Sequence, residues 1–239
     1  CRSGSPEIGL KSSSRHGTDT DWGHPAPPIR ADGAGTTRAT NDPTGPVYPD
    51  RLVEAVSNTT VIVCAYSEVR WPLLLRALES IAAQRRPPAA TIVVIDTNPV
   101  LLERARKELT GITVIANEHR QGLSGARNSG VQQAATELVA FLDDDARAAP
   151  DWLATLEPLF DAPEVVAAGG SVQPEWESGR PRWFPDPFLW VVGCTHNGMP
   201  SVREPVRNVV GASMIFRRAA LDSLGGFTEE VGRVGTLPE

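Results

Sequence analysis

The sequence predicts an α/β protein with a mostly parallel central sheet and helices on both faces. Three observations carry that prediction. From Thr59 onward, short Val- and Ile-rich runs alternate with longer segments whose apolar residues recur at three- and four-residue steps. The links between them are short, as successive strand–helix units require. Two of the apolar runs stop at acids, Ile95 at Asp96 and Leu142 at Asp143–Asp144–Asp145. Ligands of an open parallel sheet bind beyond the carboxyl ends of its strands.

Taken in order, residues 1–55 are rich in Gly, Ser, Thr, Pro and Asp, with almost no apolar periodicity. Such a segment buries too little surface to offset its chain entropy and reads as disordered. The folded domain is expected over 56–239. Thr60–Cys64 reads as a buried strand. Trp71, Leu74, Leu75, Leu78, Ile81 and Ala82 form one apolar helix face, with Pro72 in the first turn and Pro87–Pro88 enforcing the end. Thr91–Ile95 is the second strand. Asn98 caps and Pro99 opens a second helix, to about Leu109. Gly111 breaks it, and Ile112–Ala116 is a third strand. Ser124 is the expected cap of a helix to about Ala135, buried through Ala126, Val131 and Ala134. Leu138–Leu142 is the strand that ends at the three acids. A helix from Pro150–Leu153 and a strand at Val165–Ala168 follow. Residues 173–208 lose regularity and scatter Trp176, Trp183 and Trp190 among prolines, with one strand expected at Leu189–Val192. Val209–Phe216 restores the strand pattern, and a helix from Arg218 to Leu224 closes on Gly225–Gly226–Phe227.

Composition removes several function classes. A formal charge of −6 gives no basic face for nucleic acid. No run of about 18 apolar residues spans a membrane, and the amino end lacks a leader pattern. Cys1, Cys64 and Cys194 are too widely spaced for a disulfide framework or a zinc site. Cys64 reads as a small buried apolar residue, and a reducing, cytoplasmic compartment is the default. The start at Cys1 and the loop-like end at Val234–Glu239 read as those of an incomplete chain.

The acids at the strand ends carry the chemistry. Three adjacent carboxylates repel one another and favour a hard cation, Mg²⁺ or Mn²⁺, although a solvated turn or a helix cap would use the same residues. Asp96 is placed to accept hydrogen bonds from a ribose or base, or serves a turn. Gly122-Leu-Ser-Gly-Ala-Arg-Asn128 is a loop-to-helix junction whose free N–H groups, with Arg127, suit a diphosphate. The turn after the first strand, Cys64-Ala-Tyr-Ser67, lacks the spaced glycines of a dinucleotide site. It also lacks the acid that a phosphatase with an Asp nucleophile would need there.

Four blocks in order carry a family resemblance: Val61–Glu68; Val93–Asp96; Gly122–Gly130 with Val139–Asp145; and Gly211–Arg218 with Gly225–Phe227. Together they resemble the family 2 glycosyltransferases, over about Thr59 to Gly235. The resemblance implies a Rossmann-like GT-A fold and an inverting, metal-assisted transfer from a UDP-, GDP- or dTDP-sugar donor to an acceptor hydroxyl. It implies donor contacts from Tyr66, Glu68, Asp96, Arg127, Asp143 and Asp144, with Asp145 and Asp143 holding a divalent cation. Trp183, Trp190 and Gly211 would face the acceptor, which would be a saccharide, a lipid-linked sugar or a small molecule. A cytoplasmic enzyme, peripheral at the inner face of the membrane, follows from the same likeness.

This chain departs from the family pattern at Thr97 and Thr228, where many members carry acids. The catalytic base is expected beyond Glu239, and Glu239 itself is a poor candidate for it. The alternatives are a non-catalytic nucleotide-sugar-binding module, a truncated inactive fragment, and a nucleotidyltransferase, which has no motif support.

Overall fold

The structure, a computed structural model, describes residues 56–176, 179–200 and 202–230. The segment expected to be disordered, 1–55, and the end at Glu239 lie outside the described residues. The sheet is built around strand β1 (Thr59–Ala65), six of whose seven residues are buried. It pairs in parallel with β2 (Ala90–Ile95) on one side and β4 (Leu138–Asp143) on the other. Strand β3 (Thr113–Ala116) extends the sheet beyond β2, also in parallel. Beyond β4 the direction changes. Strand β6 (Met214–Arg217) runs antiparallel to β4, and β5 (Ala167–Gly169) pairs antiparallel with β6 at the edge. The order is β3-β2-β1-β4-β6-β5.

Side chains of a strand alternate between faces, and here each face has its own helices. Val61, Val63 and Ala65 join Val93, Ile95, Ala140 and Leu142 beneath α1 (Trp71–Ala82), α2 (Pro99–Glu108) and α4 (Trp152–Leu156). Ile62, Ile92, Val94, Val139 and Phe141 pack on the other face against α3 (Leu123–Gln133) and α5 (Arg218–Leu224). Burial on both faces explains why the strands read as near-continuous apolar runs. The predicted cap of α2 forms, with Asn98 Oδ1 accepting from Leu101 N at 2.9 Å. Cys64 is only half-buried.

The end of the sheet away from the acids is tied by a residue the periodicity gives no hint of. Glu157 opens a 3-10 helix (Glu157–Asp161) directly after α4. Its buried Oε1 accepts from Ser57 Oγ, Asn58 N and Thr59 Oγ1, and its Oε2 pairs with Arg86 at 3.1 Å. The network clamps the start of β1 to the segment beneath it.

Three local expectations are corrected. Leu189–Val192 is not a strand; Asp186–Val192 forms a 3-10 helix that ends at Gly193 with φ 69°. Pro185 and Pro187 lack the N–H groups a ladder needs and favour a short helical turn. Strand β6 begins only at Met214, because Ser213 N turns back to Val210 O and Val209 seats over Gly169. The cap of α3 is Gly122 rather than Ser124, with φ 124° and no side-chain bond. That backbone conformation favours glycine.

Candidate functional site

The carboxyl ends of β1, β2 and β4 meet at one edge, and the loops leaving them carry the candidate residues. Asp96 follows β2 with its N–H on Ala65 O at 2.8 Å. It is 9% exposed. Its Oδ1 accepts from Asn117 Nδ2 at 2.7 Å and its Oδ2 from Gly122 N at 2.8 Å. Asp96 therefore ties the end of β2 to the loop that enters α3. Each carboxylate oxygen keeps a second lone pair, so a ligand contact at this position is additional to that structural task. Thr97 beside it has φ 51°, a conformation costly for a β-branched residue. Thr97 also lines a cavity of about 230 Å³ with Asn98, Pro99, Leu102 and Asn117. Tyr66 and Glu68 are exposed in the loop after β1. The Tyr66 carbonyl accepts from Asn98 Nδ2 at 3.0 Å, which joins this loop to the start of α2.

Helix α3 begins at this edge and carries Arg127 into it. Gly125 has backbone against it: a Cβ there would lie 1.9 Å from the Arg120 carbonyl oxygen. Arg127 Nη2 lies 3.4 Å from both Asp143 Oδ1 and the Gly211 carbonyl oxygen. Its guanidinium is 5.7 Å from the Phe141 ring and 5.5 Å from the Phe227 ring, in cation–π range. Gly211, expected on the acceptor side, thus abuts Arg127, expected on the donor side; a Cβ there would come within 3.3 Å of Arg127 Nη2.

The acid triplet divides by burial. Asp143 ends β4, Asp144 is 4% exposed, and the Asp145 side chain is 46% exposed. Arg70 Nη1 lies 3.0 Å from Asp144 Oδ1 and 3.2 Å from Asp145 Oδ2. Asp144 Oδ2 is buried with no hydrogen-bond partner. Burial pushes the Asp143 carboxyl above its ordinary range despite Arg127, and pushes Asp144 up to about 6 despite Arg70.

Among the described residues no three acidic, His or Cys side chains are grouped as a ready-made metal cage. The donor set nevertheless suits Mg²⁺ or Mn²⁺. Mg²⁺ is commonly held by one or two carboxylates plus substrate phosphates, and the triplet supplies carboxylates only, with Asp144 Oδ2 left without a hydrogen-bond partner. A cavity of about 640 Å³ opens beside Asp145, lined by Leu73, Arg76, Arg147, Glu175 and Trp176 among others.

Trp183 and Trp190 are 79% and 60% exposed and do not line that cavity. Trp183 reaches it only through neighbours, its ring 5.8 Å from Phe184, which packs 5.2 Å from Trp176. His196 Nδ1 faces the Cys194 carbonyl oxygen at 3.3 Å.

Sequence reasoning missed Arg70, Asn117 and the role of Glu229. Asn128 exchanges hydrogen bonds with the backbone of Phe227, and its Nδ2 donates to Glu229 Oε1 at 3.0 Å. Glu229 Oε2 also accepts from Arg120 N, and Oε1 lies 2.9 Å from His119 Nδ1. The Asn128 amide, foremost among these donors, holds the Glu229 carboxyl below its ordinary range. Asn128 stands inside the 122–130 junction, so its type and position were visible; its partner, about a hundred residues away, was not.

The chain is similar to several known proteins. The chain is 34% identical over 180 residues to a glucosyl-dolichyl phosphate glucuronosyltransferase of Haloferax volcanii, covering 74% of this chain and 58% of that protein. It is 29% identical over 182 residues to the succinoglycan biosynthesis protein ExoM of Rhizobium meliloti, covering 72% and 56%. The chain therefore spans just over half the length of these relatives.

Among solved structures it resembles the mannosyltransferase PcManGT of Pyrobaculum calidifontis, in complex with GDP-Man and Mn²⁺. The TM-score is 0.52 at 26% identity, covering 78% of this chain and 51% of that one. TarS 1-349 of S. aureus shares the fold, with a TM-score of 0.50 at 21% identity over 74% and 52% of the two chains. The Glycosyl transferase family 2 model matches residues 60–225, from the first strand through the turn that ends α5. With well over half of its length in that match, the chain belongs to glycosyl transferase family 2.

Proposed function

We propose that the chain transfers a sugar from a nucleotide-sugar donor to an acceptor hydroxyl with inversion, assisted by a divalent cation. The observation that carries this reading is the junction of Gly122–Arg127 with Asp96 and Asp143 at one sheet edge. An anion-binding helix start there faces carboxylates suited to a cation. PcManGT, a fold neighbour, binds GDP-Man with Mn²⁺.

Asp96, with Tyr66 and Glu68 on the neighbouring loop, receives the nucleoside. Arg127 and the N–H groups at the start of α3 receive the diphosphate, and Asp145 with Asp143 holds the cation. The bound cation supplies Lewis-acid neutralisation of the diphosphate. The acceptor oxygen bonds to the anomeric carbon as the bond to the diphosphate oxygen breaks, and the hydroxyl proton passes to a carboxylate base. The cavity beside Asp145, walled by Trp176, receives the acceptor; Gly211 stays with Arg127, and Trp183 and Trp190, which do not line the cavity, would meet only a longer acceptor.

The test is donor turnover and donor binding by the full-length protein with Mn²⁺ present or chelated. Asp145→Ala is expected to lose at least a hundred-fold in turnover, and Arg127→Ala to weaken donor binding about ten-fold or more. Unchanged turnover in Asp145→Ala would sink the assignment. Donor binding by the full-length protein with neither transfer nor hydrolysis would make it a binding module instead.

A further inference from the structure

We propose that Arg70 is the resident counter-cation of the acid edge and competes with the divalent cation for Asp145. The inference rests on the assignment of Asp145 as a cation ligand. A single nitrogen, Arg70 Nη1, bridges two carboxylates at 3.0 and 3.2 Å. Arginine otherwise favours a two-nitrogen fork on one carboxylate. Here it acts as a point charge, as a metal ion would.

The two contacts differ in what they cost to break. Asp144 is buried, with its second oxygen unpartnered. Asp145 is nearly half exposed, and an ion pair that open to water is weak.

Charge favours the exchange. Among the groups paired directly with the triplet, Asp143, Asp144 and Asp145 bring −3 and Arg70 with Arg127 brings +2, while Arg76 and the Arg147–Glu175 pair stand at the wall of the cavity beside Asp145. A divalent cation entering at Asp145 takes over the bond Arg70 makes there. The backbone need not move. The Arg70 carbonyl is fixed by Leu73 N and Leu74 N, both at 2.9 Å, at the start of α1. Only the long side chain has to swing, past the Tyr66 ring 5.6 Å away. Arg70 is thus a positioning residue: it keeps the acids together before the cation arrives and yields Asp145 when it does.

The experiment reads Mn²⁺ affinity alone, from the electron paramagnetic resonance signal of free Mn²⁺ at pH 8, with no nucleotide present. Arg70→Gln is expected to bind Mn²⁺ about five-fold or more tighter than wild type. Arg70→Lys keeps the charge and is expected to stay within about two-fold. Asp145→Ala should lose the site. If Asp145→Ala abolishes binding while Arg70→Gln matches or falls below wild type, the cation site stands and the competition is overturned. If no form binds Mn²⁺, both readings fall. Circular dichroism melts accompany each variant, with Arg70→Met as the second neutral replacement. Failure of both neutral variants to fold would overturn the proposal, by making Arg70 a structural counter-ion.

Discussion

Asp144 shows how one buried carboxylate couples stability to chemistry. Its folded pKa of about 6 lies above the value near 4 expected in an unfolded chain. A raised pKa means that its contribution to stability is fully present below about pH 4 and is lost as pH rises through about 6. The difference corresponds to roughly 2–3 kcal/mol at neutral pH. Asp144→Asn should therefore melt higher than wild type at pH 7.5, with the gap closing by pH 4.5, which a series of thermal melts will show. A wild-type advantage at pH 7.5 would mean that the Arg70 pair outweighs desolvation. Added Mn²⁺ supplies charge at the same edge and should raise the wild-type melting temperature at pH 7.5, reversibly with chelator. Asp96 behaves differently, because both its oxygens receive N–H donors. Asp96→Asn turns an amide NH₂ toward one of them and should cost about 1–3 kcal/mol, read by urea denaturation.

Helix α3 is fixed by glycines as much as by apolar contacts. Gly130 lies against β1: a Cβ there would stand 2.5 Å from Ile62 Cγ2. Alanine normally gains about 1 kcal/mol over glycine inside a helix. Overpacking a filled core costs about 1–3 kcal/mol, and Ile62 is fully buried in the central strand. Overpacking wins, so Gly130→Ala should lower stability by about 1–2 kcal/mol net, measured by chemical denaturation. At the opposite end of the sheet, Glu157→Ala leaves three donors of β1 and its lead-in without their acceptor. That variant should lose about 2–3 kcal/mol while donor affinity stays within two-fold, since the clamp is remote from the acids.

At the scale of the whole molecule, the change of strand direction decides where the site lies. Because β6 enters between β4 and β5, the loop before it lays Gly211 on Arg127, and the turn after α5 lays Phe227 on Asn128. The aromatic segment extends away from this core. Trp183→Ala and Trp190→Ala should change stability by no more than about 0.5 kcal/mol; if they meet the acceptor, its KM rises while donor affinity holds.

The sequence by itself determined the parallel strands, their helices and the acids at strand ends. Those features follow from local periodicity, capping residues and runs buried on both faces. It misread Leu189–Val192 as a strand, because apolar content outweighed the flanking prolines. Only the tertiary structure decided which acid is buried, that Asp96 fastens the loop into α3, and that Arg70 spans Asp144 and Asp145. Each depends on groups brought together from separate segments, Arg70 and Asp144 being 74 residues apart. Charge and desolvation at such a meeting are set by three-dimensional distance, which no local pattern encodes.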